Sequence, residues 1–308
     1  PPPPVTPPRP PRPHPPPPPP PLAGAVGPPR PPPHPRPPAR RAEGACSTRV
    51  SRSSLTRVTA YVRPPILRQV FHDADGVPFE YGRRWDHLDG PPEDTYSVDS
   101  HPERFAPLAG VADALVRPLA ATYAVTVPAG ARRGGDLAAH PAAGPAPAVR
   151  AGARTVGPDA ARAVRVTPAS DDAAALALVV TDYPGVVVRA GVLHEDTFPS
   201  CGCDACDDTA AGAAAALEDL VLGVAAGRFS EAVRRALPGR HEWWVAHRLD
   251  EPDGGYSAGE GRTRLARGVG QQARRRLATL PGGLWQPWPA AGGAPRAAGA
   301  AARRPGGG

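Results

Sequence analysis

The amino-acid sequence predicts an α+β fold: a small antiparallel sheet of about four strands with two helices packed on it, flanked by disordered tails. Three observations lead to this prediction. Short apolar runs separated by turn residues fill much of the middle of the chain, and two longer segments carry apolar residues at helical spacing. Both ends are dominated by proline, glycine, alanine and arginine. We therefore assign the folded α+β domain to residues 61–260.

The segments on either side, residues 1–60 and 261–308, are predicted to be disordered. Residues 1–45 contain 24 prolines, a composition that favours extended polyproline II and leaves little apolar surface to bury. From residue 261 the chain consists mainly of Arg, Gly, Ala and Pro, with Trp285 and Trp288 as its largest apolar groups. A protein that interacts through these Pro/Arg-rich tails is one functional alternative.

The distribution of charge restricts the class of partner. The whole chain has a formal net charge of +7, but residues 61–260 alone carry −10, while the two tails carry +8 and +9. An acidic domain is a poor match for a specific nucleic-acid interface, so any binding to polyanions is expected to be nonspecific and to belong to the tails. No run of 18 apolar residues lacks a charge, which predicts that no segment crosses a membrane.

The first half of the domain is predicted to hold short strands followed by a helix. Residues 72–76 are a strong turn signal, and residues 79–85 have the composition of a strand. A helix is expected here, and Pro118 leaves two alternatives, because proline conflicts with a helix interior. Either the helix starts near Pro107, a residue that fits the first helical turn, or the prolines bracket a shorter helix. Its apolar face recurs at intervals of three and four residues: Phe105, Leu108, Ala112, Leu115, Leu119 and Tyr123.

The second half is predicted to be a β-meander followed by a second helix and a last strand. Residues 130–157 are rich in Ala, Gly, Pro and Arg and are interpreted as a loop or insert. Short turns join three apolar runs, so we expect antiparallel pairing. We place the second helix at residues 209–226, capped by Asp207 or Asp208, with Leu217, Leu220, Val221 and Val224 as its buried stripe and Glu218 on the opposite side. The predicted strands are residues 163–167, 175–181, 186–193 and 242–249.

A cluster of three cysteines lies between the meander and the second helix. Cys201, Cys203 and Cys206 fall within six residues, too close together for a disulfide framework, which favours a cytoplasmic protein. Zinc prefers four thiolate or imidazole ligands, and a C-x-C-x2-C loop can present three of them. The candidate metal ligands are therefore Cys201, Cys203 and Cys206, with Asp204, Asp207, His194 or a distant histidine as the fourth.

Two other interpretations of the same loop stay open. The cysteines can be small, half-buried residues of a strand-to-helix turn, or they can be redox-active thiols activated by the N-terminus of the helix. Three functions are accordingly considered. They are a cytoplasmic binding or structural domain whose cysteine loop holds a metal such as zinc, a thiol-dependent redox enzyme, and the interaction protein described above. The fourth cysteine, Cys46, lies alone in the N-terminal tail.

Several blocks of sequence resemble a known family. They include Tyr81-Gly with Trp85, the segment Ser100-His-Pro-Glu-Arg-Phe-Ala-Pro-Leu, and Phe198-Pro-Ser-Cys-Gly-Cys-Asp-Ala-Cys-Asp. In this order they are similar to an uncharacterised domain family of GC-rich Gram-positive bacteria, over roughly residues 61–260. The resemblance implies that these blocks are typical of the family, and it implies no particular activity.

Overall fold

The computed structural model describes residues 61–128, 162–236 and 242–292. These residues form an α+β fold with three α-helices and three antiparallel sheets of five, three and two strands. The helices are α1 (Pro107–Thr122), α2 (Ala210–Ala225) and α3 (Val269–Ala278). The strands are β1 (Phe71–His72), β2 (Pro78–Phe79), β3 (Val125–Thr126), β4 (Arg162–Pro168), β5 (Leu176–Thr181), β6 (Gly185–Ala190), β7 (His194–Phe198), β8 (Phe229–Arg235), β9 (Glu242–Asp250) and β10 (Tyr256–Arg264).

The five-stranded sheet is the predicted meander, extended by one strand at each side. Its strand order is β3-β4-β5-β6-β7, and every neighbouring pair is antiparallel. The strand predicted at residues 186–193 ends early, at Ala190, because the chain turns at Gly191, whose φ of 61° is unfavourable for other residues. One face of the sheet packs in the main core with α1 and α2, and the other face carries a second small apolar cluster.

Both predicted helices are present. The apolar face predicted for α1 is buried from Phe105 to Tyr123, and the helix continues through Pro118. The N-cap of α2 is Thr209 rather than either predicted aspartate, since its Oγ1 accepts a hydrogen bond of 3.0 Å from the Gly212 amide. Gly227, with a φ of 73°, follows the end of α2, where glycine commonly ends a helix.

The predicted solvent position of Glu218 on α2 is wrong. Glu218 is buried, and its carboxylate accepts hydrogen bonds from Tyr61 Oη at 2.6 Å and from the Arg63 guanidinium at 2.6 and 2.7 Å. The extended segment that begins at Tyr61 therefore lies against α2. Helical spacing alone cannot reveal such a partner, because it is more than 150 residues away in the chain.

The predicted count of four strands in one sheet is also wrong, because a second sheet of order β10-β9-β8 was missed. Of this sheet, the sequence predicts only β9. Four of the seven residues of β8 are charged or hydroxylic, and β10 alternates glycine with charged residues. β10 is an edge strand that is largely exposed to solvent, so its sequence lacks the apolar alternation by which strands are recognised. The strand predicted at residues 79–85 shrinks to β2.

The boundary predicted at residue 260 is the largest error in the domain assignment. Residues 261–292 complete β10, form α3 and then return to the core, where Trp285 and Trp288 are 4% and 3% exposed. The indole of Trp285 donates to the Glu231 carboxylate at 2.9 Å, and the indole of Trp288 donates to the Ala174 carbonyl at 2.8 Å. Two tryptophans bury enough apolar area to fix a segment whose overall composition resembles a linker.

The other predictions for the termini and the insert lie outside the described residues: they concern residues 1–60, including Cys46, residues 130–157 and residues 293–308. Within the described ranges, none of the helices has the length and apolar character needed to cross a bilayer.

Candidate metal centre

The cysteine loop connects the end of β7 to the start of α2. After Phe198 the chain leaves the sheet, and residues Asp204–Cys206 form one 3₁₀ turn. The turn closes with a hydrogen bond of 3.2 Å from the Cys206 amide to the Cys203 carbonyl. Asp207 then adopts a left-handed conformation, with a φ of 54°, which redirects the chain into the N-cap of α2.

This loop brings the three cysteine sulfurs together. The Sγ atom of Cys203 lies 3.3 Å from that of Cys201 and 3.4 Å from that of Cys206, and the three atoms lie within 4.8 Å of one another. Cys201 and Cys203 are partly buried, whereas Cys206 is exposed, and all three are free thiols. In the described part of the chain, this is the one group of three or more potential ligand atoms from His, Cys, Asp or Glu at such distances.

The surroundings of the loop shift the pKa values of Cys203 and Cys206 in opposite directions. Burial raises the pKa of the Cys203 thiol, but hydrogen bonds from Cys201, from Cys206 and from the Ser97 backbone outweigh it, so that the net shift is downward. Burial and the neighbouring thiols raise the pKa of Cys206 to about 12. Negative charge in the loop is thus favoured at its central sulfur, and a cation that binds all three sulfurs must displace a proton from Cys206.

Asp204, one of the predicted fourth ligands, belongs to another network. It is 2% exposed, and its carboxylate accepts hydrogen bonds from Tyr81 Oη at 2.8 Å and from Ser100 Oγ at 2.7 Å. The guanidinium of Arg84 lies 3.2 Å away. These contacts lower the pKa of Asp204 despite its burial. Both oxygens are therefore engaged in holding the loop, and Asp204 is not grouped with the sulfurs.

His194 is also not brought to the loop. It begins β7, the strand whose far end leads to Cys201, and its ring packs against His247, with 4.3 Å between ring centroids, and against Phe229. Burial, and to a smaller extent His247, lowers its pKa to about 3. Its Nε2 atom is buried and has no hydrogen-bond partner among the described residues. His194 therefore belongs to the contact between β7 and β9.

Of the two predicted carboxylate ligands, Asp207 has an oxygen that accepts no hydrogen bond from the described residues. Its Oδ2 accepts a hydrogen bond of 2.9 Å from the Arg84 amide. Its Oδ1 is buried and has no partner among the described residues. Asp207 directly follows Cys206, although its carboxylate is not part of the group of atoms within 4.8 Å.

Arg104 holds both ends of the loop and was not predicted as a site residue. Its guanidinium donates to the Gly202 carbonyl at 2.9 Å and to the Asp208 carbonyl at 3.2 Å, and it lies 3.8 Å above the ring of Tyr81. Arg104 is 3% exposed, which is rare for an arginine. The sequence offers one signal, since Arg104 lies in the His-Pro-Glu-Arg-Phe block, but an arginine beside a predicted helix is usually a surface residue.

Two further contacts bind the loop to the segment before α1. The indole of Trp85 donates to the Asp204 carbonyl at 3.0 Å, and the Asp204 amide donates to the Val98 carbonyl at 2.7 Å. Tyr81 and Trp85 come from the first of the sequence blocks that precede α1, and Ser100 and Arg104 come from the second. The blocks are thus parts of one three-dimensional arrangement whose centre is the cysteine loop.

Comparison with known proteins places the chain in a family. Neither the curated proteins nor the solved structures contain a significant match to it. The sequence model of a family of unknown function (DUF6226) matches residues 68–292, which includes every element described above. The match ends at the same residue as the described C-terminal segment. The chain therefore belongs to this family of unknown function.

Proposed function

We propose that this protein is a metal-binding domain in which Cys201, Cys203 and Cys206 hold one zinc ion as thiolates. The observation that carries the proposal is the convergence of three sulfurs within 4.8 Å of one another on a short loop. Three soft donors on such a loop match the preference of zinc for thiolate ligands. A loop that serves only as a turn does not require the sulfur atoms of its three cysteines to converge.

The spacing of the sulfurs fits the ion closely. Zinc–thiolate bonds of about 2.3 Å in a tetrahedral arrangement place sulfur atoms about 3.8 Å apart. The two Sγ–Sγ distances of 3.3 and 3.4 Å are a few tenths of an ångström shorter. A small outward movement of the thiols is therefore enough to admit the ion, and the deprotonated sulfurs would repel one another in that direction.

We assign the fourth position to Asp207. Asp204 is held by Tyr81, Ser100 and Arg84, and His194 lies at the far end of β7, so neither is free to bind the ion. Asp207 has a buried, unpaired Oδ1 in the residue that follows Cys206. Four protein ligands make a closed site, which is typical of structural zinc.

The role that fits such a site is to fix the loop between β7 and α2. The contacts of Arg104, Trp85 and Val98 join this loop to the segment before α1, so a bound ion would stabilise the junction of two distant parts of the chain. Zinc thiolates persist where thiols stay reduced, which agrees with the cytoplasmic location favoured by the cysteine usage.

Cobalt(II) titration of the full-length protein tests the proposal directly. Cobalt is a spectroscopic substitute for zinc, and thiolate ligands give it an intense sulfur-to-metal charge-transfer band. We expect this band to saturate at one equivalent of cobalt and to disappear when zinc is added. Absence of the band in fully reduced protein would overturn the proposal.

Matched variants separate the ligands. Asp207→Asn keeps an oxygen that can accept the hydrogen bond from the Arg84 amide, but it lacks the second carboxylate oxygen. This variant should therefore bind zinc more weakly, by at least about tenfold. Asp219→Asn, at an exposed position of α2, is the control and should bind as the unaltered protein does. Equal affinities in the two variants would remove Asp207 from the site while leaving the thiolates in place.

A further inference from the structure

The arrangement of the cysteine loop leads to an inference about the regulation of the same site, and it rests on the proposed zinc function. We propose that hydrogen peroxide or a related hydroperoxide converts Cys203 and Cys206 into a disulfide, which expels the metal ion. Zinc binding would then respond to peroxide, and a thiol reductant would restore it.

The geometry of the turn favours this pair. The two Sγ atoms are 3.4 Å apart, and the hydrogen bond from the Cys206 amide to the Cys203 carbonyl closes a tight turn. Such a turn holds the Cα atoms of its first and last residues within about 7 Å. Most disulfides join Cα atoms that are about 4.4–6.8 Å apart. The bond can therefore form with little backbone movement.

Exposure selects the sulfur that reacts first. Cys206 is the exposed member of the three, so an oxidant in solution reaches it more easily than Cys201 or Cys203, which are partly buried. Metal binding keeps the Cys206 sulfur as a thiolate, the form that attacks peroxide. Cys203 then lies at contact distance to resolve the oxidised sulfur.

The reaction balances in two steps. The Cys206 thiolate attacks one peroxide oxygen, the O–O bond breaks, and the leaving hydroxide takes a proton to become water, which leaves a sulfenic acid. The Cys203 thiolate attacks that sulfur, an S–S bond forms, the S–O bond breaks, and the second hydroxide is protonated to water. Two thiolates lose two electrons in total, and one peroxide is reduced to two waters. Cys201 remains as the single thiolate, too few ligands to retain zinc.

The contacts around the loop make the change reversible. Arg104 binds the carbonyls of Gly202 and Asp208, and Asp204 is held by Tyr81 and Ser100, so these bonds do not depend on the state of the sulfurs. The loop therefore keeps its position after oxidation. Thiol–disulfide exchange with a small dithiol regenerates the two thiolates, and the site can take up zinc again.

The experiment treats the zinc-loaded full-length protein with one equivalent of hydrogen peroxide and follows released zinc with a chromogenic chelator. Cleavage before aspartate places Cys201 and Cys203 together on fragment 196–203 and Cys206 on fragment 204–206. We expect release of one zinc per chain together with a covalent link between these fragments, and recovery of both after dithiothreitol. Zinc retained by the oxidised protein, or release without the link, would overturn the inference.

Variants identify the linked pair. Cys201→Ser should still give the linked fragments, since it leaves Cys203 and Cys206 intact, whereas Cys203→Ser should not. A link that persists in Cys203→Ser would assign the disulfide to Cys201 and contradict the proposal. Cys46→Ser should behave as the unaltered protein and serves as the control. If the reduced protein takes up no zinc, the proposed function fails, while the fragment link, compared between Cys201→Ser and Cys203→Ser, still decides whether Cys203 and Cys206 are oxidised as a pair.

Discussion

At the scale of single residues, Arg104 has the largest structural effect on the loop. Its guanidinium is almost fully buried and donates to three backbone carbonyls, those of His101, Gly202 and Asp208, at 2.8–3.2 Å. The ring of Tyr81 lies against the face of the guanidinium, and Asp99 lies 3.8 Å from it. Carbonyl oxygens, a π-face and a nearby carboxylate together compensate for the removal of the charge from water.

Replacing this clamp should destabilise the protein strongly. Arg104→Ala leaves the Gly202 and Asp208 carbonyls without their donor, and we expect the free energy of unfolding to fall by about 3–5 kcal/mol. Urea denaturation in the presence of a chelator measures this independently of metal. Arg83→Ala, at a largely exposed arginine paired with Asp86, is the control and should change stability by about 0.5 kcal/mol or less. Similar losses of stability in the two variants would show that the hydrogen bonds of Arg104 do not stabilise the fold.

The buried His194, which packs against the half-buried His247, should make stability depend on pH. Burial lowers the pKa of His194 to about 3, compared with about 6.5 in the unfolded chain, and also lowers that of His247. Between these two pH values the unfolded state binds more protons, so the contribution of His194 is fully present above pH 6.5 and is lost as the pH falls towards 3. The loss approaches about 1.4 kcal/mol per pH unit.

Comparison of variants isolates this contribution, because raised pKa values at Asp196, Asp208 and Glu231 act in the opposite direction. We expect urea denaturation of His194→Phe between pH 7 and pH 5 to show a smaller loss of stability than the unaltered protein. His87→Phe, at an exposed position, should keep the original slope. An unchanged slope in His194→Phe would mean that the imidazole is protonated in the folded state.

At the scale of elements, the sequence predicts the helices and strands whose buried apolar residues recur at regular spacing. The α1 face and the central strands β4 to β6 are confirmed because their apolar residues recur at helical spacing or in β-branched runs. β8 and β10 are not predicted, because both strands lie at the edges of their sheet and contain many charged, hydroxylic or glycine residues. The convergence of the three thiols follows from their spacing, whereas the separate networks of Asp204 and His194 depend on contacts distant in sequence.

Removal of α3 and the segment after it should disrupt the folded domain. A chain that ends after Arg264 lacks Trp285 and Trp288, and the buried Glu231 carboxylate then has no indole donor. We expect this chain to lose cooperative thermal unfolding, because so much buried apolar surface is missing. A chain that ends after Gly292 is the control and should keep the midpoint of the unaltered protein. Cooperative unfolding of the shorter chain at the same midpoint would place residues 265–292 outside the core.

At the scale of the whole molecule, distant sequence blocks are joined at one place. Tyr81, Trp85, Val98, Ser100 and Arg104 all contact the loop that begins after β7 and precedes α2. A domain stabilised by a bound ion gains free energy in proportion to the logarithm of the ion concentration over its dissociation constant. The cysteine loop is where such a gain would reach both the sheet and the helices, because it connects β7 to α2 and contacts the segment that leads into α1.

The metal content of the purified full-length protein shows whether the three cysteines of the loop hold zinc. Elemental analysis of protein prepared under reducing conditions should give about one zinc per chain. The variant with Cys201, Cys203 and Cys206 all replaced by Ser should give none, and its thermal midpoint should fall to that of the chelator-treated protein. Cys46→Ser should retain the full zinc content. Metal-free protein that stays fully folded and takes up no added zinc would contradict the proposed zinc site and leave the cysteine loop as a turn between strand and helix.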